Sequence, residues 1–598
     1  MSRTPDSTMD IHTRRRFLGA TMAAGAGAVL SSTQQAGAAW NRLNPIPAGS
    51  RHATLAPLAD FPEGIPLFQQ NFENWSGEIK ADDVWTCQPA TRKHLIKVVN
   101  WAARHNYRIR ARGYSHNWSP LVIAPNDMQS TKASARVVLV DMTAHFTAME
   151  MSGSTPESVT VEGGASMESL LAFLEDHGCG VTSCPAPGDL SVGAVLAIDG
   201  HGTGIPATGE SRAPGQTFGS ISNRVLKLKV IAWDPKRNRY RLRTFRRSDE
   251  EMSALLVALG RTIVVEATLQ VESNQNLRCE SYLSISGSEL FAPPGSSGQT
   301  IEQFLDDSGR IETIWYPFTD NPWLKVWTIT PSQPWFSNAV DSPYNYPFSD
   351  NISNEASELI EGIVSGATYL APQFGQVMYA ATWFGLLFDN AYDLWGPSKN
   401  LLLYVRPTTL RVTANGYAIL TRRDTVQQVL HEFVTMYQSM VQNYADDGNY
   451  PINGPMEIRV TGIDRTDEVD LADAAEPALS ALAPDEDHAD WDVAVWLDLL
   501  TIPGTDTSGA FYSELEEWMF TRFDGTDATI RVEWSKGWGY TESGPWTNHD
   551  VINDLVPESL RRGRPSHADW DHAIETLNEL DPHGVLRNPF LDRLMPKD

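Results

Sequence analysis

Apolar positions recur along this chain with two periods, and the period changes with position. Thr91 to His105 carries Leu95, Val98, Val99 and Ala102 at helical spacing, which predicts an amphipathic helix. Tyr107 to Ala111, Arg224 to Ala232 and Thr262 to Val271 alternate instead and predict strands with one buried face. Arg136 to Asp141 contains the unbroken run Val-Val-Leu-Val, the mark of a strand covered on both sides, and Ser158 to Val161 predicts a further short strand. Met167 to Asp176 returns to the helical period, with Ser166 placed to cap its start and Gly178 to stop it. From about residue 80 the pattern is therefore a mixture of helices and strands, after a Pro- and Ala-rich lead-in over 40–66.

The pattern shifts near residue 276. Between 276 and 555 aromatic residues become dense, and 12 of the 19 tryptophans fall there, so a second domain is expected. "VMYAATWFGLLFDNAYDLW", Val377 to Trp395, is apolar nearly all round and predicts a helix buried on most sides rather than a membrane span. Residues 464–492 hold eleven acidic side chains against one arginine and predict a solvated face.

Charge and the N-terminus narrow the function. The net charge of −27 leaves no basic stripe for phosphates, so nucleic acid is not an expected partner. Arg14-Arg15-Arg16-Phe17-Leu18 precedes a small-residue apolar stretch and then Ala36-Gly37-Ala38, the layout of a twin-arginine export signal over 1–39. The apolar stretch is too short to span a bilayer. The mature chain is expected to start near Ala39 and to be secreted, and this route carries folded, often cofactor-loaded proteins. Cys87, Cys179, Cys184 and Cys279 show no metal-ligand spacing and read as structural cysteines. No metal is expected. The nucleophile elbow of a serine hydrolase is also missing.

The chemistry-bearing stretch is Val161 to Gly209. It has no G-x-G-x-x-G and no G-K-[ST], so neither a Rossmann turn nor a P-loop is supported. Yet Gly163, Gly164, Gly188, Gly193, Gly200, Gly202, Gly204 and Gly209 crowd it. Glycine is favoured where backbone must approach something closely or take positive φ, and clustered backbone N–H groups make anion nests. A long phosphate-bearing ligand lying across several loops would explain the spread; a run of tight turns would also do so. Upstream, "RARGYSHNWSP" sets His116 in a turn of small and polar residues, where a single structural hydrogen bond is the simplest role.

Three motifs in order change that reading: "RARGYSHNWS", then "VGAVLAIDGHGTG", then the C-terminal "DPHGVLRNPFLDRL". Together they resemble the flavin-binding half of vanillyl-alcohol-oxidase-type flavoproteins, over about 80–275 and 560–598. The resemblance implies FAD joined covalently through one histidine, His116. The imidazole is a nucleophile at neutral pH. The resemblance also assigns Arg110, Arg112, Gly113, Tyr114, Ser115 and Asn117 to the cofactor. From the glycine segment it adds Pro187, Gly188, Asp189, Ser191, Gly193, Ala194, Gly200, His201, Gly202 and Gly204, and from the C-terminus Asn588. Relatives with a second link place a cysteine four residues before the glycine of their Val-Gly pair; here that position is Asp189, which implies a single bond. The implied fold is α+β with two domains. The first part of the FAD-binding domain spans 57–275, a cap domain built on a large antiparallel sheet flanked by helices spans 276–555, and 556–598 returns to the FAD domain.

"RIETIWYPFTDNPWLKVWTIT" and "PMEIRVTG" are similar to segments of the covalent-flavin class of bacterial cholesterol oxidases, which implies a 3β-hydroxysterol substrate and O2 as acceptor. If Met456 to Val460 is a strand, Glu457 and Arg459 share one face. They form either a solvated ion pair at a sheet edge or, in the family reading, the cavity wall, with Glu312 as a third partner. Glu457 is the first candidate for the base that takes the hydroxyl proton and Glu312 the second. Arg459 would hold the developing oxyanion or open a path for oxygen. Lys536 and Trp538 are expected near the flavin ring. A monomer that touches membranes transiently is expected. The rivals are a sugar, alditol or aldonolactone oxidoreductase and an exported non-catalytic binding module.

Overall fold

In the computed structural model, residues 58–124, 136–153, 157–347, 353–403 and 410–597 are described. The export signal and the start of the first domain at 57 lie outside them. The first sheet is formed by β1 (Leu67–Glu73), β2 (Lys80–Cys87), β3 (Arg108–Arg112) and β4 (Val137–Asp141) in the order β1-β2-β4-β3, with β2 and β3 parallel to β4. Helix α1 (Arg92–His105) connects β2 to β3. Thr91 caps it by accepting from His94 N–H, and it ends at Asn106 in the left-handed region, φ 56°. Its buried residues, Leu95, Val98, Val99, Trp101 and Ala102, join Val138 and Val140 of β4 in one core. Val137 to Val140 are all buried, as the unbroken apolar run predicts.

The second sheet is antiparallel throughout. It holds β5 (Met149–Ser152), β6 (Ser158–Glu162), β7 (Val225–Asp234), β8 (Arg239–Arg246) and β9 (Ile263–Gln270) in the order β5-β6-β9-β7-β8. Helix α2 (Met167–Asp176) starts at Ser166, whose hydroxyl accepts from Ser169 N–H, and Gly178 follows its end with φ 72°. The loop after β6 and the short helix α3 (Val192–Ala197) touch through glycines. Gly193 N–H donates to Gly163 O, and a Cβ on Gly163 would lie 2.2 Å from Val264 O. Neither glycine has positive φ. They are required by close approach of backbone to backbone rather than by a turn.

The second domain is carried by nine strands: β10 (Asn276–Tyr282), β11 (Ile311–Trp315), β12 (Trp323–Ile329), β13 (Asn338–Ala339), β14 (Asp393–Pro397), β15 (Thr413–Thr421), β16 (Met456–Gly462), β17 (Val493–Thr501) and β18 (Thr529–Val532). Their order is β13-β14-β10-β12-β11-β16-β17-β15-β18, and only the short β13–β14 pair is parallel. All nine residues of β15 and of β17 are buried, so both faces of the sheet are covered there. The C-terminal segment packs on the first domain: Val585 O accepts from Ile109 N–H of β3, and Asp581 accepts from the Tyr240 hydroxyl and from Val585 and Leu586 N–H.

Two expectations fail. The apolar stretch after 370 forms helix α4 (Ala371–Phe388), but it is not buried on most sides. Phe374, Met378, Thr382 and Leu386 face inward, while Trp383, Leu387 and Phe388 on the other side are 43%, 49% and 59% exposed. No helix among the described residues is long and apolar enough to cross a membrane. The acidic run at 464–492 is not a simply solvated face either. Asp464 and Asp485 are buried, Asp464 taking hydrogen bonds from Ser220 N–H, Ser220 Oγ and Ser480 Oγ, so part of the run ties the two domains together.

Candidate active site

A cavity of about 280 Å3 lies between the glycine-rich loops of the first domain and the nine-stranded sheet of the second. Two different walls face each other across it.

On the first wall, β3 ends at Arg112 and the chain turns sharply. A Cβ on Gly113 would lie 2.3 Å from Ser191 Oγ, and Ser115 has φ 63°. The turn delivers His116 to the cavity with its side chain only 3% exposed. The imidazole lies parallel to the Trp75 ring at 4.0 Å, and its Nδ1 is 2.9 Å from Asp189 Oδ1. Stacking and the carboxylate hold the ring in one orientation. Asp189, singled out as the position where relatives with a second link carry cysteine, thus touches the histidine itself. Pro187, Gly200, His201 and Gly202 also line this wall. Two buried polar atoms of this region, Ser183 Oγ and Asp199 Oδ1, have no partner among protein atoms. Asp199 lines the cavity. A cavity bounded by glycine backbone, with unpaired polar atoms at and near its wall, fits a polyhydroxylated, phosphate-bearing cofactor.

Other residues assigned to the cofactor sit elsewhere. Arg110 does not point a free guanidinium at a phosphate. It is buried and donates to four carbonyls: Gly260 O at 2.6 Å, Leu586 O and Leu121 O at 2.5 Å each, and Leu259 O at 3.3 Å. A guanidinium whose two terminal nitrogens are both spent on backbone is a structural clamp, because donors in a fixed fork can satisfy several convergent carbonyls. Asn588 caps the last helix by accepting from Leu591 N–H and donates to Pro120 O and Leu121 O. It fixes the loop that follows His116 and does not line the cavity. Gly188, Ser191, Gly193, Ala194 and Gly204 do not line the cavity, nor do Gly113 and Ser115. Arg112 donates to Ser115 Oγ at 3.4 Å, Asn117 donates to Ser119 O, and Tyr114 is 38% exposed.

The second wall is built by strand register. β11 pairs β16 so that Glu312 is opposite Arg459, and β16 pairs β17 so that Glu457 is opposite Asp498. Arg459 consequently sits among three carboxylates. Its Nε donates to Glu312 Oε1 at 2.7 Å, Nη2 to Glu457 Oε2 at 2.7 Å and Nη1 to Asp498 Oδ2 at 3.0 Å. The alternation expected of "PMEIRVTG" holds: Met456, Ile458 and Val460 are buried on the opposite face. Glu312 is buried. Burial favours its neutral form, but Lys325 at 3.1 Å and Arg459 outweigh it and hold Glu312 below the ordinary carboxylate range. Lys325 is itself enclosed by the rings of Trp323, Trp327 and Tyr346 at 4.6–5.3 Å.

Lys536 belongs to this wall. It is buried, lies over the Trp118 ring at 4.3 Å and comes within 3.5 Å of Asp498 Oδ2. Burial pushes its pKa down, but Asp498, then Glu533 and Glu457, outweigh that and raise it. Trp538 is a core residue instead. It is fully buried against Trp534 and Phe590 and does not line the cavity. Sequence reasoning missed Trp75, Lys325, Trp496, Asp498 and Glu533. Trp496 stacks on His201 at 3.5 Å, and Glu533 Oε1 stands 3.8 Å from His201 Nε2. The alternation in "VAVWLDLLT" puts Trp496 and Asp498 on one face of β17 and was the available signal. Between the charged groups the wall is apolar, formed by Ile314, Phe374, Met378, Leu410, Leu500 and Ile502.

Two family models match the chain. One, an FAD binding domain, covers residues 85–234; the other, cholesterol oxidase, substrate-binding, covers 276–596. Among solved structures, a solvent-stable cholesterol oxidase is 51% identical with a TM-score of 0.88, covering 90% of this chain and 100% of that one. The cholesterol oxidase of B. sterolicum is 40% identical, also with a TM-score of 0.88, covering 91% and 100%. Among curated proteins, an L-gulono-1,4-lactone dehydrogenase of Mycobacterium tuberculosis is 20% identical over 393 residues, 66% of this chain and 78% of its own.

Proposed function

Because the chain belongs to the cholesterol oxidase family of FAD-dependent oxidoreductases, we propose that it oxidises the 3β-hydroxyl of cholesterol or a related sterol to the ketone, shifts the double bond to the 4-en-3-one, and reduces O2 to H2O2. Its twin-arginine segment directs it out of the cell. The observation that carries this reading is the charged cluster set into one wall of an otherwise apolar cavity, facing His116. Bulk hydrocarbon fills the apolar part, and a single hydroxyl meets the charged cluster.

Bound FAD supplies the hydride acceptor and returns the electrons to oxygen. The chain supplies the rest. Glu457 takes the hydroxyl proton. It has one cationic partner, Arg459, whereas Glu312 is clamped by two and is correspondingly the poorer base. Arg459 stabilises the oxyanion that develops as the proton leaves. Glu312 and Lys325 fix Arg459 from behind. His116 carries the flavin through a covalent bond, with Asp189 and Trp75 holding its ring ready. Helix α4 links the cavity to the outside: Phe374, Met378 and Thr382 line the cavity, and Trp383, Leu387 and Phe388 of the same helix are exposed. That exposed face suits brief contact with the bilayer from which a sterol is drawn.

The curated lactone oxidoreductases support a second reading, an aldonolactone oxidoreductase, but only at about one fifth identity. A lactone offers no hydrocarbon for the apolar wall. A substrate panel tests the choice: sterols yield the enone and peroxide, while aldonolactones yield neither. Peroxide from lactones alone overturns the proposal. Flavin colour retained in acid-precipitated protein and lost from His116→Ala tests the bond.

A further inference from the structure

The charged wall holds four carboxyl groups, Glu312, Glu457, Asp498 and Glu533, against three fixed cations, Lys325, Arg459 and Lys536. Burying an unbalanced negative charge is costly, so the cluster calls for one proton, held either on the His201 ring, 3.8 Å from Glu533 Oε1, or on a carboxyl oxygen of the cluster. Among the carboxyl oxygens the hydrogen bonds point to one place for it. Glu312 gives Oε1 to Arg459 and Oε2 to Lys325; Glu457 gives Oε2 to Arg459. Asp498 gives Oδ2 to Arg459, and Glu533 gives Oε1 to the Ser535 hydroxyl. The other oxygens of that last pair, Asp498 Oδ1 and Glu533 Oε2, are both buried and neither receives a donor among protein atoms. They converge on the same point. A Cβ on Gly416 of β15 would lie 2.7 Å from Asp498 Oδ1 and 2.6 Å from Glu533 Oε2. Two bare carboxylate oxygens repel at such a site, whereas one proton between them makes a hydrogen bond.

We propose that Asp498 and Glu533 share a single proton in the space above Gly416, and that storing the cluster's proton there keeps Glu457 ionised at the cavity wall. Asp498 and Glu533 are then positioning residues for Glu457 and Arg459. The electrostatics agree in direction. Burial, then the Glu533 carboxylate, raises Asp498 well above the carboxylate range, while Lys536 and His201 outweigh burial at Glu533 and hold it low. The groups facing the pair are Arg459 at 3.0 Å from β16, Lys536 at 3.5 Å and His201 at 3.8 Å, with Glu457 opposite Asp498 across the strand pair. Loss of the shared proton at alkaline pH adds a negative charge beside Arg459 Nη1 and draws the guanidinium away from Glu457.

The role in turnover rests on the sterol-oxidation reading; the shared proton does not. Infrared difference spectra of the holoenzyme at neutral pH separate the two. Wild type minus Asp498→Asn shows a carbonyl band of a protonated carboxyl that shifts on deuteration, and wild type minus Glu533→Gln shows the same band. Loss of carboxylate bands alone in both spectra overturns the proposal. The pH profile of flavin reduction by sterol supplies the second reading. Wild type loses rate on the alkaline side, and Asp498→Asn, whose amide donates to Glu533 with no proton to lose, moves that limb up by about one pH unit or more. A profile lowered throughout with the limb unmoved leaves Asp498 a structural residue and overturns the positioning role. A band that is present in an enzyme whose flavin no sterol reduces supports the shared proton and sinks the sterol reading.

Discussion

The two walls of the cavity are specified in opposite ways. The histidine wall is shaped by the absence of side chains. Gly113 meets Ser191, Gly163 meets Gly193, and Gly202 comes so close to Cys184 that a Cβ would lie 2.5 Å from its amide nitrogen. The sheet wall is shaped by long charged side chains that strand register brings to one place. One wall is a backbone surface, which the proposed function gives to a large cofactor; the other is an electrostatic device with several interdependent members. A binding surface made of backbone tolerates little added volume, whereas a charge cluster tolerates shape changes and fails when the charge count or a proton position is altered.

Three substitutions test that contrast. The largest effect is expected on the sheet wall: Glu457→Gln keeps the size and removes the base, and the rate of flavin reduction by sterol falls by about 10²- to 10⁴-fold in stopped-flow absorbance. Normal reduction by this variant removes Glu457 from the mechanism. On the opposite wall, Arg110→Met strips four carbonyls of their common donor. The cost is about 3 kcal/mol or more, read as a lower denaturation midpoint, with the loop carrying His116 the first part to loosen. Unchanged stability would return Arg110 to the free, ligand-facing role expected from the sequence.

The smaller effect concerns a buried acid of the first wall. Asp199 Oδ2 and Asp464 Oδ2 both contact Ser480 Oγ, at 2.7 and 2.6 Å. Burial, then Asp464, pushes Asp199 from 3.8 up to about 8. The folded chain therefore keeps a proton that the unfolded chain has already released between about pH 4 and about pH 8. Folding stability falls as pH rises through that window, by at most ~1.4 kcal/mol per pH unit from this group. Asp199→Asn removes the proton and flattens that part of the slope, read from urea midpoints at about pH 5 and about pH 8. An unaltered slope means that Asp199 is ionised in the fold.

What could be read from the sequence follows the same division. Helix α2 and its Ser166 cap, the buried run of β4 and the turn at His116 are written in consecutive residues, and the glycines of the first wall are legible because each marks a place where a side chain does not fit. The second wall was legible only within one strand. Glu457 and Arg459 are two residues apart, so alternation places them together. Arg459 reaches Glu312 across 147 positions and Asp498 across 39, and Lys325 and Glu533 join only after the nine strands are in register. Arg110 and Asn588 were misplaced because a polar residue beside a functional motif looks the same whether it serves a ligand or convergent backbone carbonyls. The exposed side of α4 was missed because an all-round apolar sequence carries no period to show which face meets solvent.

In the proposed reaction a sterol held against the Glu457–Arg459 wall gives its hydride to a flavin on the His116 wall. Anaerobic mixing of the holoenzyme with cholesterol, followed by visible absorbance, tests it directly. Rapid bleaching of the oxidised flavin spectrum, restored by admitting air, is expected. A spectrum unchanged by cholesterol and bleached by an aldonolactone would contradict it.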